Sequence, residues 1–173
     1  LVPSRISGAG SIWQQRLSGA ELPRRIADIH RPYHAALADM LEAARLRFGL
    51  AILLDCHSMP PRAREAGAEV VFGDRHGTSI APEFFECAIE AARACGFTAA
   101  RNAPYAGGYV TARHGQPTSG IHALQLEVDR SCYLDEALRE AGPGFDKTAE
   151  MVAAIATSLA EKALEPPHAI AAE

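Results

Sequence analysis

The chain has 173 residues, of which 48% are hydrophobic and 22% charged, a size and composition that suit one domain with a sizeable core. The hydrophobic fraction is too high, and the net charge of -4 too small, for a disordered chain. With 17 basic against 21 acidic residues, the sequence lacks the basic surface that nucleic-acid binding requires. No apolar run approaches the roughly 20 residues of a membrane helix. We therefore expect neither nucleic acid nor a membrane as a partner.

The cysteines and the first residues of the chain indicate its cellular compartment and its relation to a larger protein. Cys56, Cys87, Cys95 and Cys132 form no CxxC pair, which favours free thiols in a reducing compartment over a disulfide framework. The chain begins at Leu1 without an initiator Met, and no basic segment is followed by the apolar run of a signal peptide. We expect a cytoplasmic protein and a chain that continues a larger one.

Spacing of apolar residues predicts a long helix in the first third of the chain. Ser18 and Glu21 have the spacing of a capping box. Apolar residues three and four positions apart then predict one amphipathic helix over Leu22–Phe48, which Gly49 ends. Pro32 lies inside this helix and predicts a kink or a break near Arg31.

The rest of the sequence alternates predicted strands and helices. Short apolar runs predict strands at 51–54, 69–72, 97–101 and 121–129. Helices are predicted at 82–95, 134–140 and 145–164, and a long loop at 102–120. This alternation indicates a single α/β domain over 1–173, with a parallel or mixed sheet flanked by helices. In such sheets, ligands bind beyond the carboxyl ends of the strands.

Polar residues follow the first of these strands. His57 could ligate a metal through its neutral imidazole while Asp55 fixes its tautomer; alternatively, its ring binds loop backbone. Cys56 could act as a nucleophile with His114 or His122 as its base. Neighbouring strand residues point to opposite faces, however, so Cys56 and His57 cannot readily serve one site.

Glu127 lies on an otherwise apolar strand. A carboxylate there is costly to bury unless it is paired or its pKa rises, and a raised pKa is what a general base near neutral pH needs. The alternative is a salt bridge to a neighbour such as Arg130. Arg75, Arg113 and Arg130 lie in or beside loops at the expected ligand end. Each could bind a substrate carboxylate or be an ordinary surface arginine.

Five segments carry a further signal when they are taken together and in order. They are Arg31-Pro32-Tyr33-His34, Leu54-Asp55-Cys56-His57-Ser58-Met59-Pro60, Gly73-Asp74-Arg75-His76-Gly77-Thr78-Ser79, Gly107-Gly108-Tyr109-Val110-Thr111 and Ile121-His122-Ala123-Leu124-Gln125-Leu126-Glu127-Val128-Asp129-Arg130. This combination resembles the N-formylglutamate amidohydrolase (deformylase) family over the bulk of the chain. The resemblance implies a zinc-carboxypeptidase-like (phosphorylase/hydrolase-like) α/β fold. It also implies hydrolysis of N-formyl-L-glutamate, a small acidic N-acyl amino acid, to formate and L-glutamate in histidine degradation.

The same resemblance implies a site. His57 is similar to the family's third zinc ligand and Glu127 to its general base, so Zn2+ is the expected cofactor. Substrate binding is assigned to four residues: Arg75, Arg113, His122 and Arg130. The family's first two zinc ligands, a His and an acidic residue, come from an N-terminal segment that has no counterpart in this sequence. We therefore expect the C-terminal part of a larger amidohydrolase domain; the alternative is a truncated, non-catalytic remnant or interaction module.

Two geometric expectations follow. His57 and Glu127 should converge on one cleft, with side chains within roughly 4–7 Å if a metal ion and a water molecule lie between them. If the preceding segment is absent, strands that it would cover should lie bare. An exposed apolar patch above the usual few hundred Å² of a monomer is then expected.

Overall fold

The computed structural model describes residues 5–6, 10–13, 18–62 and 67–165. The chain divides into two compact units, residues 1–40 and 41–173. No helix in the described part of the chain is long and apolar enough to cross a membrane.

The first unit contains a short hairpin and the start of the long helix. Strand β1 (Arg5–Ile6) pairs antiparallel with β2 (Gly10–Ser11). Helix α1 (Glu21–Arg25) runs without interruption into a π-helical segment (Ile26–His30) and then into α2 (Arg31–Phe48).

The predicted irregularity at Pro32 is this π-helical segment. Pro32 has no N–H to donate to the carbonyl four residues before it, and the N–H of Arg31 bonds to the carbonyl of Ile26, five residues back. The predicted capping box does not form: Ala20 is the N-cap residue and has no side-chain cap. The carboxylate of Glu21 instead accepts hydrogen bonds from nearby arginines of the same helix.

Much of the apolar face predicted for the long helix is open to solvent. Its buried side chains are His34 and Leu41. Between 55% and 70% of the surface of four predicted face residues is exposed: Ile29, Tyr33, Met40 and Phe48. Exposed apolar side chains therefore line this helix.

The second unit is built on a four-stranded mixed sheet with the order β3-β6-β4-β5. Its strands are β3 (Ala51–Met59), β4 (Val70–Gly73), β5 (Ala99–Arg101) and β6 (Ile121–Asp129). Strand β6 is parallel to β3 and antiparallel to β4, and β4 is parallel to β5. The predicted α/β architecture with a parallel or mixed sheet is confirmed. Strand β3 extends five residues beyond the predicted 51–54, because it pairs with β6 over all nine residues of each strand.

One face of this sheet carries the hydrophobic core. Helix α3 (Pro82–Ala94) and helix α5 (Phe145–Leu164) supply the other side of the core. Alternate residues of a strand point to one face, and those of β4 and β6 that enter the core are Val70, Phe72, Leu124, Leu126 and Val128. The opposite face is left for the remaining residues of the same strands.

Two predicted elements differ from the structure. The predicted loop 102–120 contains a short helix, α4 (Tyr109–His114), which packs on β6. The predicted helix 134–140 does not form. There the carboxylate of Asp135 accepts the backbone N–H of Arg139 at 2.9 Å, and Leu138 is left-handed with φ 55°. Such local side-chain bonds to the backbone compete with helix formation.

Candidate active site

Polar side chains of β3 and β6 occupy the sheet face opposite the core. In the strand register, His57 is opposite Glu127 and Asp55 is opposite Gln125. Because paired residues of neighbouring strands point to the same face, these four side chains share one face. His57 and Glu127 are therefore brought together. Both belong to the strands themselves, which corrects the expectation that His57 follows the end of its strand.

Glu127 is buried, with no Lys or Arg partner in the part of the chain that the structure describes. Only 8% of its surface is exposed, and no Lys or Arg of the described residues pairs with it. Arg130 donates its Nε–H to the backbone carbonyl of Met59 at 3.3 Å instead. Burial raises the pKa of Glu127, opposed by the charge of His57 and a hydrogen bond from Gln125, while the charge of Asp55 raises it further. The salt-bridge alternative is not formed, and a raised pKa suits a general base.

Gln125 links Glu127 to a glycine loop. Its Nε2 donates to Oε1 of Glu127 at 2.9 Å, and its Oε1 accepts the backbone N–H of Gly108 at 2.6 Å. The side chain is buried. Sequence reasoning assigned no role to this residue, although its position two residues before Glu127 on a strand indicates the same face.

Two glycines allow this loop to lie directly on the sheet. Gly73 of β4 is opposite Gln125, and a Cβ at Gly73 would lie 2.5 Å from the backbone nitrogen of Gly107. Gly107 has φ +106°, and a Cβ there would lie 2.7 Å from Oγ1 of Thr111. Only glycine fits either position. The close approach places the N–H of Gly108 against Gln125.

The turn after β4 is held by a buried carboxylate. Asp74 is fully buried and accepts hydrogen bonds from the Gly77 N–H at 3.0 Å, from Nδ2 of Asn102 at 2.6 Å and from Arg101. Burial alone would raise the pKa of Asp74, but these hydrogen bonds and the charge of Arg101 outweigh it and lower the pKa. The next residue, Arg75, is left-handed with φ 55°.

The three candidate arginines lie at different places around the site. Arg75 is exposed and bonds to the loop through Nη1, which donates to the carbonyl of Gly107 at 3.2 Å. Arg113 lies on α4, also exposed, with Nη1 3.3 Å from the hydroxyl of Tyr109. Arg130 is half-buried and follows the carboxyl end of β6. Arg75 and Arg130 thus adjoin the segments that hold Gln125 and Glu127.

Asp55 and His57 form a pair of potential metal ligands. Oδ2 of Asp55 is buried without a hydrogen bond and lies 3.0 Å from Nε2 of His57. A buried carboxylate oxygen that accepts no hydrogen bond is costly, and a cation, either a protonated His57 or a metal ion, would reduce that cost. Catalytic zinc sites combine imidazole with carboxylates, which bind the ion or fix the tautomer of a ligating histidine. The residues present fit this chemistry, although no group of three or more His, Cys, Asp or Glu in the described ranges comes together to hold a metal.

His122 is separated from this site. It is opposite Ile52 and lies buried on the core face, with its ring centroid 4.7 Å from that of Phe84. Its Nδ1 accepts the backbone N–H of Ala81 at 3.2 Å, and burial lowers its pKa. Five residues of strand, about 16 Å, separate it from Glu127. The structure therefore does not bring His122 to the predicted substrate-binding residues.

Cys56 also faces the core side of the sheet, opposite Leu126. Partial desolvation and the charge of Asp55 raise the pKa of its thiol, which disfavours the nucleophilic thiolate. Cys56 and His57 point to opposite faces, as the sequence predicts, so the cysteine-nucleophile alternative gains no support.

Comparison with known proteins shows which family this chain belongs to. The model of the N-formylglutamate amidohydrolase family matches residues 1–134. The chain belongs to this family. An N-formylglutamate deformylase of Pseudomonas putida is 35% identical over 124 residues, covering 69% of this chain and 46% of the relative. One from Pseudomonas aeruginosa is 33% identical over 125 residues, covering 69% and 47%. The chain thus spans about half the length of these curated N-formylglutamate amidohydrolase relatives.

Solved structures share the fold. N-formylglutamate amidohydrolase from Ralstonia eutropha JMP134 matches with a TM-score of 0.74 and 34% identity, over 89% of this chain and 57% of that chain. A gene product from Agrobacterium tumefaciens matches with a TM-score of 0.67 and 16% identity, over 92% and 61% of the two chains. The second likeness supports the fold alone.

Proposed function

We propose that the native protein hydrolyses N-formyl-L-glutamate to formate and L-glutamate, with zinc as its cofactor. The observation that carries this proposal is the register of two strands, which sets His57 beside a buried Glu127 that has no Lys or Arg partner among the described residues. Membership of the N-formylglutamate amidohydrolase family supports the choice of substrate class.

Glu127 is proposed as the general base. Its carboxylate would accept a proton from the attacking water molecule and deliver that proton to the leaving nitrogen of the amide. The bond between the formyl carbon and this nitrogen breaks as the oxygen of water bonds to the carbon, so formate and an amine are released. The raised pKa of Glu127 favours both halves of this transfer near neutral pH.

His57 is proposed as a zinc ligand, and Asp55 as the carboxylate that orients it. Oδ2 of Asp55 is buried, accepts no hydrogen bond and lies 3.0 Å from Nε2 of His57, which supports this pairing. When bound, zinc polarises a carbonyl group and lowers the pKa of a water molecule to about 7. Catalytic zinc sites use three protein ligands, so further ligands would come from residues other than those described.

Arginines are proposed to bind the two carboxylates of the substrate. Arg75 and Arg130 adjoin the site, and Arg113 lies on the neighbouring helix α4. A guanidinium group binds a carboxylate through two parallel hydrogen bonds, which fixes the orientation of the substrate as well as its charge.

Metal analysis combined with formate release tests the proposal. The full-length native protein should contain zinc, release formate from N-formyl-L-glutamate, stop after chelation and recover when zinc returns. N-formyl-L-aspartate should be a poorer substrate, because one methylene is worth about 1–3 kcal/mol in a pocket. The His57→Ala variant should lose both metal and activity, whereas Asp55→Ala should weaken zinc binding by about 10- to 100-fold.

Cys56→Ala is the matched control, because Cys56 is adjacent to His57 but faces the other side of the sheet. It should keep both zinc and activity. Indifference to chelators, together with inactivation by thiol alkylation, would replace the zinc mechanism with a cysteine hydrolase. A full-length protein that binds no metal and releases no formate would instead be the non-catalytic module.

A further inference from the structure

The neighbours of the buried Gln125 side chain determine which way its amide oxygen and nitrogen point. The backbone N–H of Gly108 can only donate, so the Gln125 atom that faces it at 2.6 Å must be the oxygen, Oε1. The amide nitrogen then faces Glu127, where it donates to Oε1 of the carboxylate at 2.9 Å. The amide cannot flip without placing two donors against each other at Gly108.

This arrangement restrains the carboxylate of Glu127. One of its oxygens is held as an acceptor by Gln125, which is itself fixed at its other end by the backbone of the glycine loop. That loop lies directly on the sheet at Gly73, where a Cβ would lie 2.5 Å from the backbone nitrogen of Gly107. A base restrained in this way keeps its orientation, because its side chain cannot rotate freely. This matters because a small misplacement of a catalytic group lowers the reaction rate strongly.

We infer that Gln125 is a positioning residue for Glu127. Its amide orients the Glu127 carboxylate because it links that carboxylate to the Gly108 N–H through two hydrogen bonds. The kinetic consequence of this inference rests on the proposed function. The hydrogen bonds that join the loop to the strand can be measured without any activity. No role in the reaction is assigned to the Gln125 side chain itself.

The kinetic test uses Gln125→Met in the zinc-loaded full-length protein, because Met keeps the length of the side chain and removes both hydrogen bonds. We expect kcat to fall by about 10- to 100-fold, with KM within about threefold of wild type and unchanged zinc content. Gln116→Met is the control, because Gln116 is exposed and lies outside the site. It should leave kcat and KM unchanged.

A double variant separates positioning from general damage. If Gln125 acts through Glu127, adding Gln125→Met to Glu127→Gln should cause almost no further loss of kcat, because there is no base left to orient. A merely structural role would lower kcat by a similar factor in both backgrounds. That second result would overturn the inference.

Amide hydrogen exchange at Gly108 directly tests the hydrogen bond from its N–H to Gln125. Gln125→Met should accelerate exchange of this N–H, while Gln116→Met should not. Unchanged exchange would overturn the inference whatever the kinetics show. If wild type released no formate but Gly108 exchange accelerated in Gln125→Met, the proposed function would be wrong. The hydrogen bond between the glycine loop and Gln125 would still be confirmed.

Gly108→Ala serves if Gln125→Met does not fold. Gly108 has φ -91°, which alanine adopts freely, and the added Cβ would lie 3.2 Å from Oε1 of Gln125. This contact requires a shift of a few tenths of an ångström at Gln125. We expect kcat to fall several-fold with KM unchanged; wild-type kcat would overturn the inference.

Discussion

Replacing Glu127 by Gln should make the protein more stable and far less active. Glu127 is only 8% exposed, and its carboxylate receives one hydrogen bond from Gln125 and pairs with no Lys or Arg in the described ranges. Gln keeps the size of the side chain, and its amide oxygen can still accept the Nε2–H of Gln125. The substitution therefore removes a buried charge without opening a cavity or breaking this bond.

The sign of the stability change follows from the pKa. Burial raises the pKa of Glu127 in the folded protein above its ordinary value of 4.5, so the folded state holds this proton more tightly than the unfolded chain does. Its contribution to stability is fully present below pH 4.5 and is lost as the pH rises through the folded pKa. At pH 7 we expect Glu127→Gln to gain about 1 kcal/mol, or about 2–4 °C in Tm. The gain should vanish below about pH 4.

Activity should move the other way. Loss of a general base costs about 10²- to 10⁴-fold in rate, or roughly 3–5 kcal/mol of activation free energy. Thermal unfolding of the metal-free protein at pH 7 and pH 4 measures the first effect, and formate release by the zinc-loaded protein measures the second. Glu150→Gln, on the exposed side of α5, should change neither. A Glu127→Gln protein that is less stable at pH 7, or that keeps a tenth of its activity, would refute this reasoning.

Three further substitutions test the packing around the site by thermal or urea unfolding. Gly73→Ala should destabilise the protein by about 1–3 kcal/mol, because its Cβ would lie 2.5 Å from the Gly107 nitrogen; an unchanged melting temperature would show that the loop does not lie on β4. Asp74→Asn should cost about 1–3 kcal/mol at neutral pH. Since the pKa of Asp74 is lowered, this cost should shrink as the pH falls through the folded pKa, and a pH-independent cost would contradict the bond to Arg101. Ile155→Ala should cost about 2–5 kcal/mol, because Ile155 is fully buried in the core; a loss below 1 kcal/mol would contradict that packing.

Local sequence patterns predicted the elements that depend on local signals. The strand at Ile121–Asp129 and the helix at Phe145–Leu164 have the predicted bounds, because alternation and 3.6-residue periodicity persist through both. Strand β3 was predicted too short because its second half is polar. Its extension depends on pairing with β6, some 70 residues later in the chain, and a local pattern does not contain that partner.

The geometry of the candidate site could be predicted in part for a similar reason. His57 and Glu127 were selected from residue type and from the family resemblance, and the sheet register sets them on one face, while their roles stay predictions. His122 was included although it has the parity of Leu124 on the strand and therefore faces the core. Gln125 was overlooked because its significance lies in its partner Gly108, on a loop whose path over the sheet no local pattern predicts.

The alternation along β6 has a consequence for substitutions on its polar face. Leu124, Leu126 and Val128 hold the domain together on one side, while Gln125 and Glu127 carry the polar face on the other. The two sets of side chains therefore have different neighbours although they alternate along the same nine-residue strand. A substitution at Gln125 or Glu127 changes the polar face directly and leaves the packing of Leu124, Leu126 and Val128 against the core in place.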